Sequence, residues 1–318
     1  MKLSLLSNKF LVYFKCDKGY NSYKEFCLRL EERMHKVEKV VIFGGTHGNE
    51  ATGVEVLKLL EKRNYFGKNV ELLTHFSNRK AFELKKRYVD KDLNRSFTKE
   101  VIKNGGFLHE ERLAKEIYDK FHGENNLVID IHTTTSNMGK SIVLTKKNEF
   151  NLKLISFLQD LHKDLKVFYW QESEDLAFLN TISPLGFAIE MGSVGNNVLD
   201  CKIIEDTLVL VEDILDFAEK YNKNILPSLN EEIVLYEGVD YLYYPKDEAG
   251  ERFGYIHDEF QNMNFKPLNK GDRIFKTHID TNLEYKGEDG LIPLFINEVA
   301  YYEKNIACCL AKKVIEKI

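Results

Sequence analysis

At 318 residues, with 43% hydrophobic and 30% charged side chains, the chain is long enough to bury one large core or two moderate ones. A net charge of −5 and the lack of any dense Lys/Arg tract argue against a nucleic-acid binder. Cys16, Cys27, Cys201, Cys308 and Cys309 follow neither metal-knuckle nor disulfide-framework spacing, so a reducing cytoplasm is the expected setting. Asn8 and Lys9 interrupt the apolar start, no cleavage site follows Lys15, and no apolar run nears the roughly 20 residues that cross a bilayer. A soluble, unexported protein without a membrane partner is expected.

In chain order, residues 1–38 are irregular apart from a short amphipathic helix expected around Ser22–Val37. Val40–Phe43 reads as a buried strand, and Ala51–Arg63 as a helix with Val54, Leu57 and Leu60 on one face. Asn69–His75 predicts a strand, Leu113–Phe121 a helix, Asn126–His132 an apolar strand and Leu152–Leu165 a helix. Gly186–Met191 follows as a short buried strand and Asp206–Tyr221 as an amphipathic helix. This alternation implies an α/β sheet with parallel pairs and helices on both faces, whose reactive residues collect at strand carboxyl ends. Beyond Pro227 the pattern changes to short strands at Ile233–Tyr236, Tyr241–Tyr244, Phe253–Ile256, Ile274–Thr277 and Leu294–Ile296. Residues 258–272 and 280–290 read as long connections. The expected partition is an N-terminal extension over 1–36, a larger domain over 37–224 and a smaller β-rich domain over 225–318.

The segment from Val40 to Glu50 carries the strongest chemical signal. An apolar strand runs into Gly44-Gly45-Thr46-His47-Gly48-Asn49-Glu50, and the three-residue spacing lets His47 and Glu50 converge on one metal ion. The spelling alone is weak, since His35-Lys36-Val37-Glu38 matches it without the glycine turn. A polar, helix-capping loop is the alternative. A third ligand is available in His132, which ends another apolar strand, with Asp130 on the same side able to orient it. A core histidine in a buried ion pair is the competing reading. Arg87 and the pair Asn94-Arg95 could bind carboxylates, although most charged loops are merely solvated. Glu190 ends an apolar strand, where burial would raise its pKa toward that of a general base unless it forms a structural salt bridge.

These constellations, in this order, resemble the aspartoacylase and succinylglutamate desuccinylase family of the zinc carboxypeptidase superfamily. The likeness covers roughly residues 37–318 and is closest to the aspartoacylase branch. It includes Arg87-Tyr88-Val89-Asp90, Asp92-Leu93-Asn94-Arg95, Asp130-Ile131-His132-Thr133-Thr134-Thr135 and Asn297-Glu298-Val299-Ala300-Tyr301-Tyr302-Glu303-Lys304. The resemblance implies a zinc-carboxypeptidase-like mixed sheet flanked by helices, with a smaller β-rich C-terminal domain contributing to the substrate pocket. It implies one catalytic zinc per subunit on His47, Glu50 and His132, with Glu190 as general base and later acid. Arg87 would polarise the acyl carbonyl, while Asn94, Arg95, Tyr301 and Lys304 would hold the substrate carboxylate and its neighbours.

The implied activity is hydrolysis of an N-acyl amino acid, with N-acetylaspartate first. The implied partner is that small molecule, and the reading is compatible with a homo-oligomer. One departure bears on the substrate. The family places an arginine for the side-chain carboxylate ten residues before the catalytic glutamate, where this chain has Asn180. An amide donates hydrogen bonds but offers no cationic fork. N-acetylated aromatic or other neutral amino acids are therefore the alternative substrates, and a non-catalytic zinc or acyl-amino-acid binding protein is a further alternative. Residues 1–36 lie outside the resemblance.

Overall fold

The order of apolar and polar residues along the strands sets the layers. In the computed structural model, which describes residues 36–63, 70–170 and 177–318, the strands begin with β1 (Lys39–Gly44), β2 (Glu71–Phe76) and β3 (Asn126–Thr133). They continue with β4 (Gly139–Leu144), β5 (Lys166–Tyr169), β6 (Phe187–Gly192) and the long β7 (Glu232–Tyr243). β8 (Gly254–Ile256), β9 (Arg273–Thr277), β10 (Asn282–Glu284), β11 (Ile292–Leu294) and β12 (Ile306–Lys317) complete the series. Nine of these form one sheet in the order β11-β12-β7-β5-β4-β6-β3-β1-β2, and β10-β9-β8 form a small antiparallel sheet. Residues Val37–Ile318 make one compact unit. The helix expected around Ser22–Val37, like the His35 imidazole, falls outside the described residues.

Helices connect the strands as α1 (Ala51–Lys62), α2 (Arg79–Glu83), α3 (Lys99–Asn104), α4 (His109–Phe121), α5 (Glu149–Leu161), α6 (Cys201–Asn222) and the short α7 (Asp258–Gln261). Val40 and Ile42 of β1 and Leu127, Ile129 and Ile131 of β3 pack on one face with α1, α5 and α6. Val41, Phe43 and Val128 point the other way, against Ala114, Ile117 and Phe121 of α4. Burial on both faces is why these strands are almost uniformly apolar. The expected mixed sheet with helices on both faces is therefore present, together with a β-rich C-terminal part.

Several elements differ from the sequence expectation. Ile233–Tyr236 and Tyr241–Tyr243 belong to the single strand β7, with Tyr244 just beyond its end, and the pairing of β7 with β12 carries register shifts. β4, β5, β10 and β12 have no counterpart in the sequence reading. β4 enters antiparallel to β6, whereas β1, β3 and β6 run parallel. β5 then pairs parallel to β7, so the β-rich C-terminal strands β7, β12 and β11 extend the sheet begun by β1. That continuity brings residues beyond 300 to the same pocket as the first loop.

Candidate active site

The loop after β1 is shaped by glycines. Gly45 adopts φ +68°, a conformation L side chains rarely tolerate, and a Cβ on Gly48 would lie 2.2 Å from the backbone of Ala81 and Phe82. This close approach seats the loop on α2, and the Gly48 N–H donates to the Arg87 carbonyl at 3.0 Å. His47 and Glu50 are thereby aimed at the end of β3. His132 Nδ1 lies 3.2 Å from His47 Nδ1 and 2.9 Å from Glu50 Oε2, while His47 Nδ1 lies 2.7 Å from Glu50 Oε1. All three side chains are buried, and their ligand atoms fall within 4.8 Å of one another, so the group could hold a metal ion.

The far sides of the rings support that function. His132 Nε2 faces Asp130 Oδ2 at 2.6 Å, and Asp130 also accepts from Thr46 Oγ1 at 2.6 Å. His47 Nε2 faces Asp92 Oδ1 at 3.1 Å. A proton kept on each Nε2 by a carboxylate leaves both Nδ1 lone pairs for a cation, the arrangement that orients metal-binding imidazoles. Two imidazole nitrogens and a carboxylate suit a borderline-soft divalent ion such as zinc. Electrostatics agree. Burial opposes charge on Glu50, but His47 and His132 outweigh it and hold its carboxyl well below the usual carboxylate range. Burial likewise opposes charge on His132, yet Asp130 and Glu50 raise its pKa well above the ordinary histidine value. A proton thus occupies a position that a cation can take instead.

Arg87 is held from two sides. Its Nε and Nη2 donate to Asp92 Oδ2 at 3.2 and 3.1 Å, and Nη1 donates to Glu50 Oε1 at 3.2 Å. Nη2 also lies 2.8 Å from His47 Nε2. That nitrogen cannot both donate to Asp92 and accept from Arg87, so the tautomer suited to metal binding frees an Arg87 N–H for another acceptor. The turn beyond Arg87 is pinned by buried Glu110, which accepts from the backbone N–H groups of Val89, Asp90 and Lys91 and from Asn78 Nδ2. Burial raises the Glu110 pKa, but these four donors outweigh it and hold the carboxylate ionised.

A pocket of about 340 Å³ opens beside the cluster. It is lined by His47, Glu50, Arg87, Asn94, Arg95, Asn180, Glu190, Tyr301 and Lys304, with His132 buried behind His47. All the residues singled out from the sequence therefore meet here. Glu190 lies in register with His132 across β3 and β6. Burial pushes its carboxyl up to about 8, with Glu50 and Glu298 adding to the rise and His132 and Arg87 opposing it. Arg95 stacks 4.6 Å over the Phe178 ring, and neither it nor Lys304 has an acidic ion-pair partner among the described residues. Burial and the nearby Arg95 lower the Lys304 pKa, as expected for two cations awaiting an anion. Asn94 is more committed: its Oδ1 accepts from Leu179 N at 2.7 Å and its Nδ2 lies 3.4 Å from His132 Nε2. Asn180 is buried, and its Nδ2 lacks a hydrogen-bond partner among the described residues.

Two further residues belong to the site that sequence reasoning did not assign. Asp92 ties His47 to Arg87, and its only sequence signal is its place two residues before Asn94-Arg95. Glu298 is buried, and its Oε2 accepts from Thr134 Oγ1, from Thr135 N and Oγ1 at 2.8 and 3.0 Å, and from Ser136 N at 3.3 Å. It fastens the 3₁₀ segment Val299–Lys304, which carries Tyr301 and Lys304, to the loop after His132. An acid next to Asn297 in a polar stretch gave no hint of this.

Comparison with known proteins places this geometry. Residues 36–218 match the succinylglutamate desuccinylase/aspartoacylase catalytic domain, and residues 231–313 match the AstE/AspA barrel-sandwich hybrid domain. A probable aspartoacylase of Nostoc sp. is 39% identical over 88% of this chain and 98% of its own length. An N-acyl-aromatic-L-amino acid amidohydrolase (carboxylate-forming) of Xenopus tropicalis is 34% identical over 87% of this chain and 93% of its own. The crystal structure of murine aminoacylase 3 superposes with a TM-score of 0.83 at 28% identity, covering 89% of this chain and 97% of that one. With both domain models matched in order and full-length relatives well above 30% identity, the chain belongs to the succinylglutamate desuccinylase/aspartoacylase family.

Proposed function

We propose that this protein is a zinc-dependent amidohydrolase that cleaves the acyl amide of an N-acyl amino acid, with N-acetylaspartate as its first substrate. The observation that carries this reading is the meeting, in one pocket, of the His47–Glu50–His132 donor set, the buried Glu190 carboxyl and the two cations Arg95 and Lys304. The relatives named probable aspartoacylase support the substrate, as does a cationic wall suited to a dianion. Residues 37–224 act as the catalytic domain, and residues 225–318 complete the substrate pocket.

When bound by His47, Glu50 and His132, zinc supplies a Lewis acid that eases deprotonation of water near neutral pH. Glu190 accepts the proton of the attacking water and later delivers it to the departing nitrogen, so one carboxylate serves both halves of the reaction. The water oxygen bonds to the acyl carbon, the carbon–nitrogen bond breaks, and a carboxylate and an amine leave. Arg87 turns its freed N–H toward the oxyanion that develops on the acyl oxygen. Arg95, Lys304 and Tyr301 hold the substrate carboxylate, with Asn94 fixing the loop beside them.

A second reading, deacylation of N-acetylated aromatic or other neutral amino acids, is favoured by one observation. Asn180 stands where the family's arginine would bind a side-chain carboxylate, and its buried amide donates without supplying charge. Zinc content measured alongside turnover of a panel of N-acyl amino acids tests the main proposal. Bound zinc with hydrolysis of at least one member is expected, and zinc without any turnover would favour a binding protein. Asn180→Arg is expected to raise kcat/KM for N-acetylaspartate severalfold. An unchanged or lower value in a folded variant would remove this position from substrate selection.

A further inference from the structure

Strand β7 changes face halfway along its length. Opposite it, β12 alternates from Cys308 to Ala311, with Cys309 and Ala311 on the pocket side and Cys308 and Leu310 on the other. Ala311 pairs with Gly238 and Cys309 pairs with Tyr241, so β7 uses one more residue than β12 over the same stretch. This bulge reverses the parity of β7 and brings Tyr241 into the pocket wall. The same stretch lacks a side chain where one would collide. A Cβ on Gly238 would sit 2.1 Å from Trp170 Cε3 and 3.0 Å from Phe168 Cε2. The indole of Trp170 therefore rests directly on the backbone of Gly238, 5.0 Å from the Tyr241 ring at an interplanar angle of 34°.

The floor leading to this wall is small and apolar. Ala188 of β6 pairs with Val143 of β4, which pairs with Phe168 of β5, and all three line the pocket. The cations Arg95 and Lys304 belong to other elements, the 3₁₀ turn Leu93–Arg95 and the segment Val299–Lys304. A substrate group lying over this floor meets carbon rather than charge, and Trp170 lines the same pocket.

We propose that Trp170, seated on Gly238, is the specificity-determining wall of the pocket and sets the size of the apolar substituent carried beside the scissile amide. That substituent is either the amino-acid side chain or the acyl group. The inference rests on the proposed amidohydrolase activity. A methyl group at position 238 would push the indole into the pocket, whereas a smaller ring at position 170 would lengthen the floor.

Two graded series test this on the zinc-loaded, full-length protein. N-acetyl amino acids running from alanine through leucine to phenylalanine vary the side chain, and N-acyl aspartates from acetyl through butanoyl to benzoyl vary the acyl group. Gly238→Ala is expected to lower kcat/KM about tenfold or more at the bulky end of one series relative to its small end, the scale of a methylene-sized misfit. Trp170→Phe, which makes no demand on the backbone, is expected to shift the same series toward larger members. The series that responds identifies the arm over the floor. A uniform change across both series, or unchanged profiles in both variants, would overturn the proposal.

Because Trp170 is the chain's single tryptophan, its emission gives a second, activity-independent readout. N-acyl amino acids should shift wild-type emission in a size-graded way that Gly238→Ala abolishes. Should wild type turn over no member, the amidohydrolase reading fails and emission alone decides. Size-graded binding then supports the wall, and emission indifferent to ligand size overturns it.

Discussion

The two sides of the pocket are held by different means. On the metal side, His47, Glu50, His132 and Asp130, at and just beyond the carboxyl ends of β1 and β3, and Arg87 and Asp92, from the loop beyond α2, serve as one another's partners. On the opposite side, Tyr301 and Lys304 ride on a 3₁₀ segment with no buried residues, and anchors at the pocket edge and beyond it hold it in place. Glu298 fastens its start, the Arg252 guanidinium is sandwiched between Tyr244 and Tyr302 at 3.9 and 4.2 Å, and Tyr88 Oη donates to Glu303 at 2.9 Å. In the proposed reaction, chemistry would thus sit on a self-satisfied network and recognition on a tethered segment. A network of the first kind tolerates no missing member, whereas tethers can be cut one at a time.

The largest expected effect comes from the rigid side. Glu190→Gln should retain its zinc yet lose about 100- to 10,000-fold in kcat, the range for removing a general base. Substantial turnover with the metal in place would falsify the assignment. The same variant exposes the energetic cost of the site in metal-free protein. Between about 4.5 and 8, the unfolded chain has released the Glu190 proton while the folded chain keeps it. The folded state then binds more protons, so its stability falls as pH rises through this window, and Glu190→Gln should lack that share of the decline. Parallel melting-temperature slopes for the two metal-free proteins would contradict the raised carboxyl.

Cutting the main tether should act through binding rather than chemistry. Glu298→Gln removes the charge from an acceptor shared by four donors, at a cost of about 1–3 kcal/mol in stability. KM should rise severalfold with zinc content unchanged, and loss of zinc together with kcat would mean that the two sides are not separable. The smallest effect is expected at the exposed Tyr88–Glu303 contact. Tyr88→Phe should change stability by no more than about 0.5 kcal/mol and kcat/KM by less than about threefold. A larger loss in kcat/KM would show the tethered segment to be set by this contact rather than by Glu298.

The same division governs what could be read from the sequence. His47, His132 and Glu190 were legible because a polar residue closing an apolar parallel strand stands out against its neighbours. The helix at Ala51, the strand at Asn126 and the helix ending at Tyr221 were legible for the matching reason, a clean period. β4 mixes Lys140 and Ser141 with its apolar residues, and β5 has four residues, so neither gave a periodic signal. β7 reads as two strands in the sequence because the bulge near Val239 breaks its alternation, the same irregularity that brings Tyr241 to the pocket. β12 passes from the apolar run Ile306–Leu310 into Lys312-Lys313, a pattern that fits no single period. Asp92 and Glu298 act through partners far away in sequence, and no local pattern encodes such partners.

β12 has one further consequence, for hydrogen exchange. From Cys309 to Ala311 it is flanked by β7 on one side and β11 on the other, and residues 306–311 are all buried. From Lys312 onward it pairs with β7 alone and alternates toward solvent. Amides at 309–311 should therefore exchange only through global opening, while those from 313 to 317 exchange through local fraying. The stretch of β12 that lines the pocket is then as long-lived as the core itself, and any movement that the proposed substrate binding needs would fall to the tethered segment before it.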